Sequence, residues 1–257
     1  MIDWAQLTLF LFITVRVSGF ILFNPILGRT NVPAMVQAGM ILILSVYVIS
    51  FTTQEVPIPN GMLELAVRLM LEIFLGFLLG MVVSFFFYIP QLAGSMIDTQ
   101  MGMTMNQIYD AGSQANLSVS GLLLNVLMTL LFFAGGGHLT LLRIFMTSEQ
   151  IVPYGLVSFG LPAYNLLLEL FVECTILAVK LCMPILAAEL IAQVGMGILM
   201  KVIPQINVFA INIELKVIVG LALLMVLIAP FSEFLLEAEA VMLNSLHQVM
   251  GLSIGSG

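Results

Sequence analysis

Charge is what this 257-residue chain has least of. Only 8% of its residues are Asp, Glu, Lys or Arg, and 61% are hydrophobic. Soluble domains carry roughly a quarter charged residues. So little polar surface cannot face water on all sides, which argues against a soluble enzyme and for an integral membrane protein. Basic residues are scarcer still: 7 Lys plus Arg stand against 14 Asp plus Glu, a net charge of −7. They are scattered singly, so the basic patch of a nucleic-acid binder is missing. The same scatter weakens the positive-inside signal. Arg29 is the only basic residue of the first connection, while Glu55 and Glu64 are the only charges of the second. That asymmetry places the Arg29 loop on the cytoplasmic side.

Histidine and cysteine number two each. His138 and His247 are far apart in sequence, no GxSxG or HExxH occurs, and Cys174 and Cys182 match no zinc or redox spacing. We therefore expect no catalytic residues, no metal and no cofactor, and read both thiols as free, buried and apolar in behaviour. The start, Met-Ile-Asp-Trp, lacks a positive n-region, so a cleaved signal peptide is not expected. No soluble domain is expected at either end.

What is present is a series of apolar segments interrupted by single charges and by Gly or Pro. The first, about 7–23, carries Arg16 in its middle. A lone Arg in hydrocarbon is costly and should meet protein, water or an acidic partner. Asn24-Pro25 ends this helix. A second segment covers about 35–51, and Pro57, Pro59, Asn60 and Gly61 mark the next loop. The third, about 63–88, places Arg68 and Glu72 four apart on one face. Gly76 and Gly80 share that spacing, which permits close helix approach. Pro90 and Gly94 then predict a helix break.

A fourth segment, about 122–134, is interrupted by Gly135-Gly136-Gly137-His138 and resumes to Met146. His138 reads as a turn residue with a local hydrogen bond. Pro153, Gly155, Gly160 and Pro162 form a connection. The fifth segment, about 164–186, carries Glu169, Glu173 and Lys180, which fall within roughly 40° of one another on a helix. Such a stripe pairs internally, meets a partner subunit or lines a watery path. Pro184 predicts a kink or an end. Glu189 and Gln193 follow as an i,i+4 polar pair, and Lys201, Pro204, Gln205 and Asn207 make a polar break. A last segment, about 208–228, contains Asn212, Glu214 and Lys216 and is interrupted by Pro230. The tail is amphipathic at first, and its Ser-Ile-Gly-Ser-Gly end reads as disordered.

Residues 98–121, DTQMGMTMNQIYDAGSQANLSVSG, differ from all of these. They contain no Lys or Arg. Met101, Met103 and Met105 crowd the first part, and small or amide residues the second. Irregular backbone at membrane depth survives only where protein or water satisfies it. We read the stretch as a loop packed inside an assembly.

Taken in order, these landmarks resemble the FliR family, membrane components of the flagellar type III export gate, and the matching injectisome subunit. They are Arg16, Pro25-Ile-Leu-Gly28, Pro33, the run GSMIDTQMG at 94–102, Asp110-Ala-Gly-Ser113, Asn116, Gly137-His138 and Pro204-Gln205-Ile-Asn207. The family often has Pro after the aspartate, where this chain has Ala111. The resemblance spans essentially the whole chain. It implies an all-α integral membrane protein of broken helical hairpins: a FliP-like part over 1–180, with a pore loop near 98–121, and a FliQ-like hairpin with a short tail over 181–257. It implies a closed, helically arranged gate shared with FliP and FliQ, with FlhB docked and FlhA nearby, in the bacterial inner membrane at the flagellar basal body. Unfolded export substrates would pass through it. Injectisome use and an independent transporter are the alternatives. A transporter predicts inverted repeats, and no clear repeat is visible.

On that resemblance, Met101, Gly102, Met103, Met105, Asp110, Gly112, Ser113 and Asn116 form a gasket. Unbranched, polarizable Met seals against varied shapes, and apolar constrictions exclude ions by dewetting. The plainer reading is core filler, since the chain has 18 Met. Arg16, Arg68, Glu72, Glu169, Glu173, Lys180, Glu189 and Gln205 are candidates for inter-subunit or buried polar contacts. For the Glu169, Glu173 and Lys180 stripe, structural pairing is preferred to a proton relay.

Overall fold

A computed structural model describes residues 4–28, 32–52, 59, 61–103, 118–202 and 208–253, with the backbone alone described at 200 and 208–213. The described residues form helices and connections only: α1 (Trp4–Phe23), α2 (Ala34–Phe51), α3 (Met62–Met101), α4 (Val119–Ala134), α5 (Gly137–Met146), α6 (Ser148–Ile151), α7 (Leu161–Val202), α8 (Val208–Val226) and α9 (Ile228–Leu252). Four of them are long and apolar enough to cross a membrane, or up to six if each broken pair counts as one span. The chain divides into two compact units. One holds 1–86, 136–172 and 240–257; the other holds 87–135 and 173–239.

In the first unit α1 ends where Asn24 Oδ1 accepts from the N–H groups of Ile26 and Leu27, at 2.9 and 3.3 Å. This Asx turn reverses the chain ahead of α2, which packs on α1. Helix α1 lies backbone to backbone on α3. A Cβ placed on Gly76 would stand 2.8 Å from Phe20 N, and one on Gly80 would stand 3.0 Å from Phe23 C. The expected small-residue crossing is therefore real, and Gly19 completes it from the α1 side. Phe20 stacks on Phe145, ring centroids 4.8 Å apart, and Phe23 meets Phe77 edge-on at 4.5 Å. The end of α9 is tied in as well: Ser158 N–H donates to the Ser253 carbonyl at 3.1 Å, and Ser253 is fully buried. So the tail is helical and packed to this point; 254–257 lie outside the described residues.

In the second unit the expected break at Pro90 and Gly94 does not occur. Helix α3 continues through both to Met101. Proline removes one N–H and pushes on the preceding turn; Asn125 Nδ2 donates to the Phe87 carbonyl in that turn at 3.2 Å. Gly94 serves packing, because its Cα faces the backbone of Ser120 and Gly121 with no room for a Cβ. Pro184 likewise lies inside α7, which runs 42 residues. In an apolar medium a broken helix would expose several backbone groups, whereas one proline forfeits a single hydrogen bond. Expected breaks at Gly135–Gly136 and near residue 228 are found. The second falls at Leu227, where α8 and α9 meet at 62°, and Pro230 sits in the first turn of α9, where its missing N–H costs nothing.

Candidate functional site

Two polar constellations stand out, one in each unit. The first is built around Arg16. Its side chain is wholly buried, as is that of Glu72, and Arg16 Nε donates to Glu72 Oε2 at 2.6 Å. Arg16 Nη1 donates to Ser148 Oγ at 3.2 Å and to the Val152 carbonyl at 3.0 Å. Its guanidinium carbon lies 4.2 Å from the Tyr154 ring centroid. The second oxygen of Glu72 accepts the Gly155 N–H at 2.6 Å. Gly155 reaches this position with φ +79°, a left-handed conformation that a side chain would strain. One ion pair therefore ties α1, α3 and the 148–155 connection together. Burial pushes the Tyr154 phenol up to about 12; Glu149 and Glu72 push the same way, while Arg16 and a hydrogen bond with Ser148 oppose them.

The acidic partner anticipated for Arg16 is thus Glu72. Arg68, four residues before Glu72, has its salt bridge elsewhere. It pairs with Glu64, one turn back, at a half-exposed position. Ser148, Val152, Tyr154 and Gly155 were not singled out from sequence as a group. Their only signal was an aromatic-glycine step in a Pro-flanked connection.

The second constellation surrounds the two ends of residues 98–121. Asp98 to Met101 are the last turn of α3, and Val119 to Gly121 the first turn of α4, so both ends of 98–121 are helical. Gly102, at φ +80°, closes α3: Gly102 N–H donates to the Thr99 carbonyl and Met103 N–H to the Asp98 carbonyl, at 3.1 and 3.0 Å. Asp98 is buried, and both its oxygens accept the Ser120 N–H at 3.3 Å. A carboxylate there is favoured by the orphan N–H groups and dipole at the start of α4. Ser118 caps the same helix, accepting from Gly121 N at 2.9 Å. Met101 is fully buried, its side chain laid over Gly220 of α8. Met105, Asp110, Gly112, Ser113 and Asn116 lie outside the described residues, as does Gln205.

Of the remaining candidates, Glu189 is buried, with Lys216 of α8 as its opposing charge. Glu169, Glu173 and Lys180 are exposed on α7. The salt bridges among the described residues are Arg16–Glu72 and Arg68–Glu64, so the internal pairing preferred for the stripe is not formed. Lys180 stands 7 residues beyond Glu173, or about 10 Å along the helix, which is out of reach. Both cysteines are free and buried, as expected. No group of three or more His, Cys, Asp or Glu among the described residues is placed to hold a metal.

Helices of this length and apolarity, locked by a buried ion pair, define an all-α integral membrane protein. The chain belongs to the bacterial export proteins, family 1, whose family model matches residues 7–240. It is similar to the flagellar biosynthetic protein FliR of Escherichia coli (strain K12), 30% identical over 91% of this chain and 90% of that one. FliR of Bacillus subtilis (strain 168) is also 30% identical, over 84% and 85%. The Yop proteins translocation protein T of Yersinia pestis is 27% identical over 75% and 74%.

Proposed function

We propose that the chain is a core subunit of the flagellar type III export gate in the bacterial inner membrane. It packs with FliP and FliQ around a closed channel for unfolded substrates, with FlhB and FlhA as further partners. The observation that carries this reading is the stripe Glu169, Glu173 and Lys180. These charges are exposed and make no ion pair among the described residues, on a helix apolar enough to cross a membrane. Lipid cannot cover such a stripe; a neighbouring subunit with opposite charges can.

Helix length supports the same reading. Helices of 40 and 42 residues rise about 60 Å, twice the roughly 30 Å of a bilayer's hydrocarbon core. Much of each must be covered by something other than lipid tails. Division into a FliP-like part over 1–180 and a FliQ-like hairpin over 181–257 belongs to this proposal. So does the role of 98–121 as a stopper, with Gly102, Met103, Met105, Asp110, Gly112, Ser113 and Asn116 in the seal; Met101, assigned to the seal from sequence, is instead buried over Gly220. Flagellar use is preferred to injectisome use because FliR of Escherichia coli and of Bacillus subtilis match 91% and 84% of the chain at 30% identity, against 75% at 27% for the Yersinia pestis protein.

The test is production of the chain alone and with FliP-like and FliQ-like subunits, followed by deletion of 107–112 in the assembled complex. The chain alone should be unstable, and the deletion should raise ion leakage. A stable, active chain alone would point to a transporter; an unchanged leak would remove the stopper.

A further inference from the structure

Met101 ends α3 with no exposed surface, although it belongs to a stretch crowded with Met. It is held by an absence. Gly220 of α8 has no side chain, and Met101 fills that space: a Cβ built on Gly220 would lie 2.7 Å from Met101 Cγ and 2.8 Å from its Sδ. Both distances are well inside van der Waals contact, so any side chain at 220 would require Met101 to shift. Only one turn back along α3, Asp98 holds the first turn of α4 through Ser120 N–H. One turn further back, Gly94 abuts Gly121. The helix ends that flank 104–117 are therefore fastened to each other by Asp98 and Gly94, and to α8 by Met101.

We propose that Met101 and Gly220 form a plug-and-socket anchor that fixes the base of residues 104–117 to α8. Met101 is then a positioning residue and not part of the seal itself. A buried Met suits this work, since its unbranched side chain fills a narrow slot without a polar atom to satisfy. The anchor ties residues from opposite sides of the proposed division at 180. This inference rests on the stopper reading for its functional consequence, but the socket itself is tested separately.

The experiment uses the assembled complex with Gly220→Ala, Met101→Ala and the two combined. Ion leakage is measured in each. Peroxide oxidation of Met101 is measured by mass spectrometry in the wild type and in Gly220→Ala. An added Cβ expels a flexible side chain at the usual cost of overpacking, so the unseated population should rise roughly tenfold or more. Gly220→Ala should make Met101 oxidisable and raise the leak. Met101→Ala, which vacates the socket without a clash, should also raise it. The double variant should leak less than Gly220→Ala, because the new methyl occupies the space that the Met side chain has left. This non-additivity is what a contact predicts and what two independent lesions would not show.

Met101 staying protected in Gly220→Ala would overturn the socket. A leak in the 107–112 deletion without one in Gly220→Ala would overturn the anchor's role and leave the stopper standing. No leak in the deletion would sink the stopper, while the oxidation arm still decides the socket. Should Gly220→Ala fail to assemble, recovery of assembly in the double variant supports the contact, and failure of both overturns it.

Discussion

Replacing Glu72 with Gln removes one charge and almost nothing else. The amide oxygen can still accept the Gly155 N–H, which sits 2.6 Å from Glu72 Oε1. Its NH2, however, would face Arg16 Nε, a donor against a donor, and leave the guanidinium uncompensated at a position with no exposed surface. Breaking a buried pair by removing one partner costs about 3–5 kcal/mol. The control is built into the chain. Arg68–Glu64 has side-chain exposures of 21% and 34%, and such pairs contribute only about 0–1 kcal/mol. Thermal melting of the complex in detergent should therefore show Glu72→Gln strongly destabilised and Glu64→Gln nearly unchanged. For a chain of this size the first loss corresponds to roughly 6–20 °C. Arg16→Met combined with Glu72→Met should melt above Glu72→Gln, since no orphan charge remains. Equal, small shifts for Glu72→Gln and Glu64→Gln would refute the claim that the buried pair locks α1 to α3.

The crossing beside that pair should behave as one unit with it. Gly76→Ala puts a methyl 2.8 Å from Phe20 N, so α1 must move off α3 at a cost of about 1–3 kcal/mol, and its effect should be less than additive with Glu72→Gln in the same melting assay. Independent, summing effects would show that the glycine crossing does not position the ion pair. Tyr154 makes an alkaline prediction. Its folded pKa is raised from 10.0 to about 12 by burial, so its contribution is complete below pH 10 and is lost as pH rises towards 12. Tyr154→Phe should flatten the fall in stability over that window, and an identical slope in the variant would contradict the burial argument.

Segment identity was legible because apolar runs of spanning length have few other uses, and the Arg16 partner was foreseeable because a buried cation requires a carboxylate. Its choice of Glu72 was not. Glu64 and Glu72 each stand four from Arg68, and nothing local says which one turns towards α1. The breaks expected at Pro90 and Gly94 were misjudged for a related reason. Local preference favours a break at both, but the packed, apolar surroundings make an interrupted helix worse than a strained one. Residues 98–121 were recognised as unusual, yet their helical ends depend on contacts between residues far apart in the chain, Asp98 with Ser120 and Met101 with Gly220.

Amino-acid order by itself determined the membrane class, most helix extents and the charged stripe on α7, because those follow from hydropathy and period along one stretch of chain. Tertiary structure alone decided which Glu meets Arg16, that Gly94 is a crossing point, and that Met101 lies in the Gly220 slot. Each of those depends on which residues distant in sequence arrive at the same place, and the energy of a buried charge or a missing Cβ is set only once its neighbours have arrived.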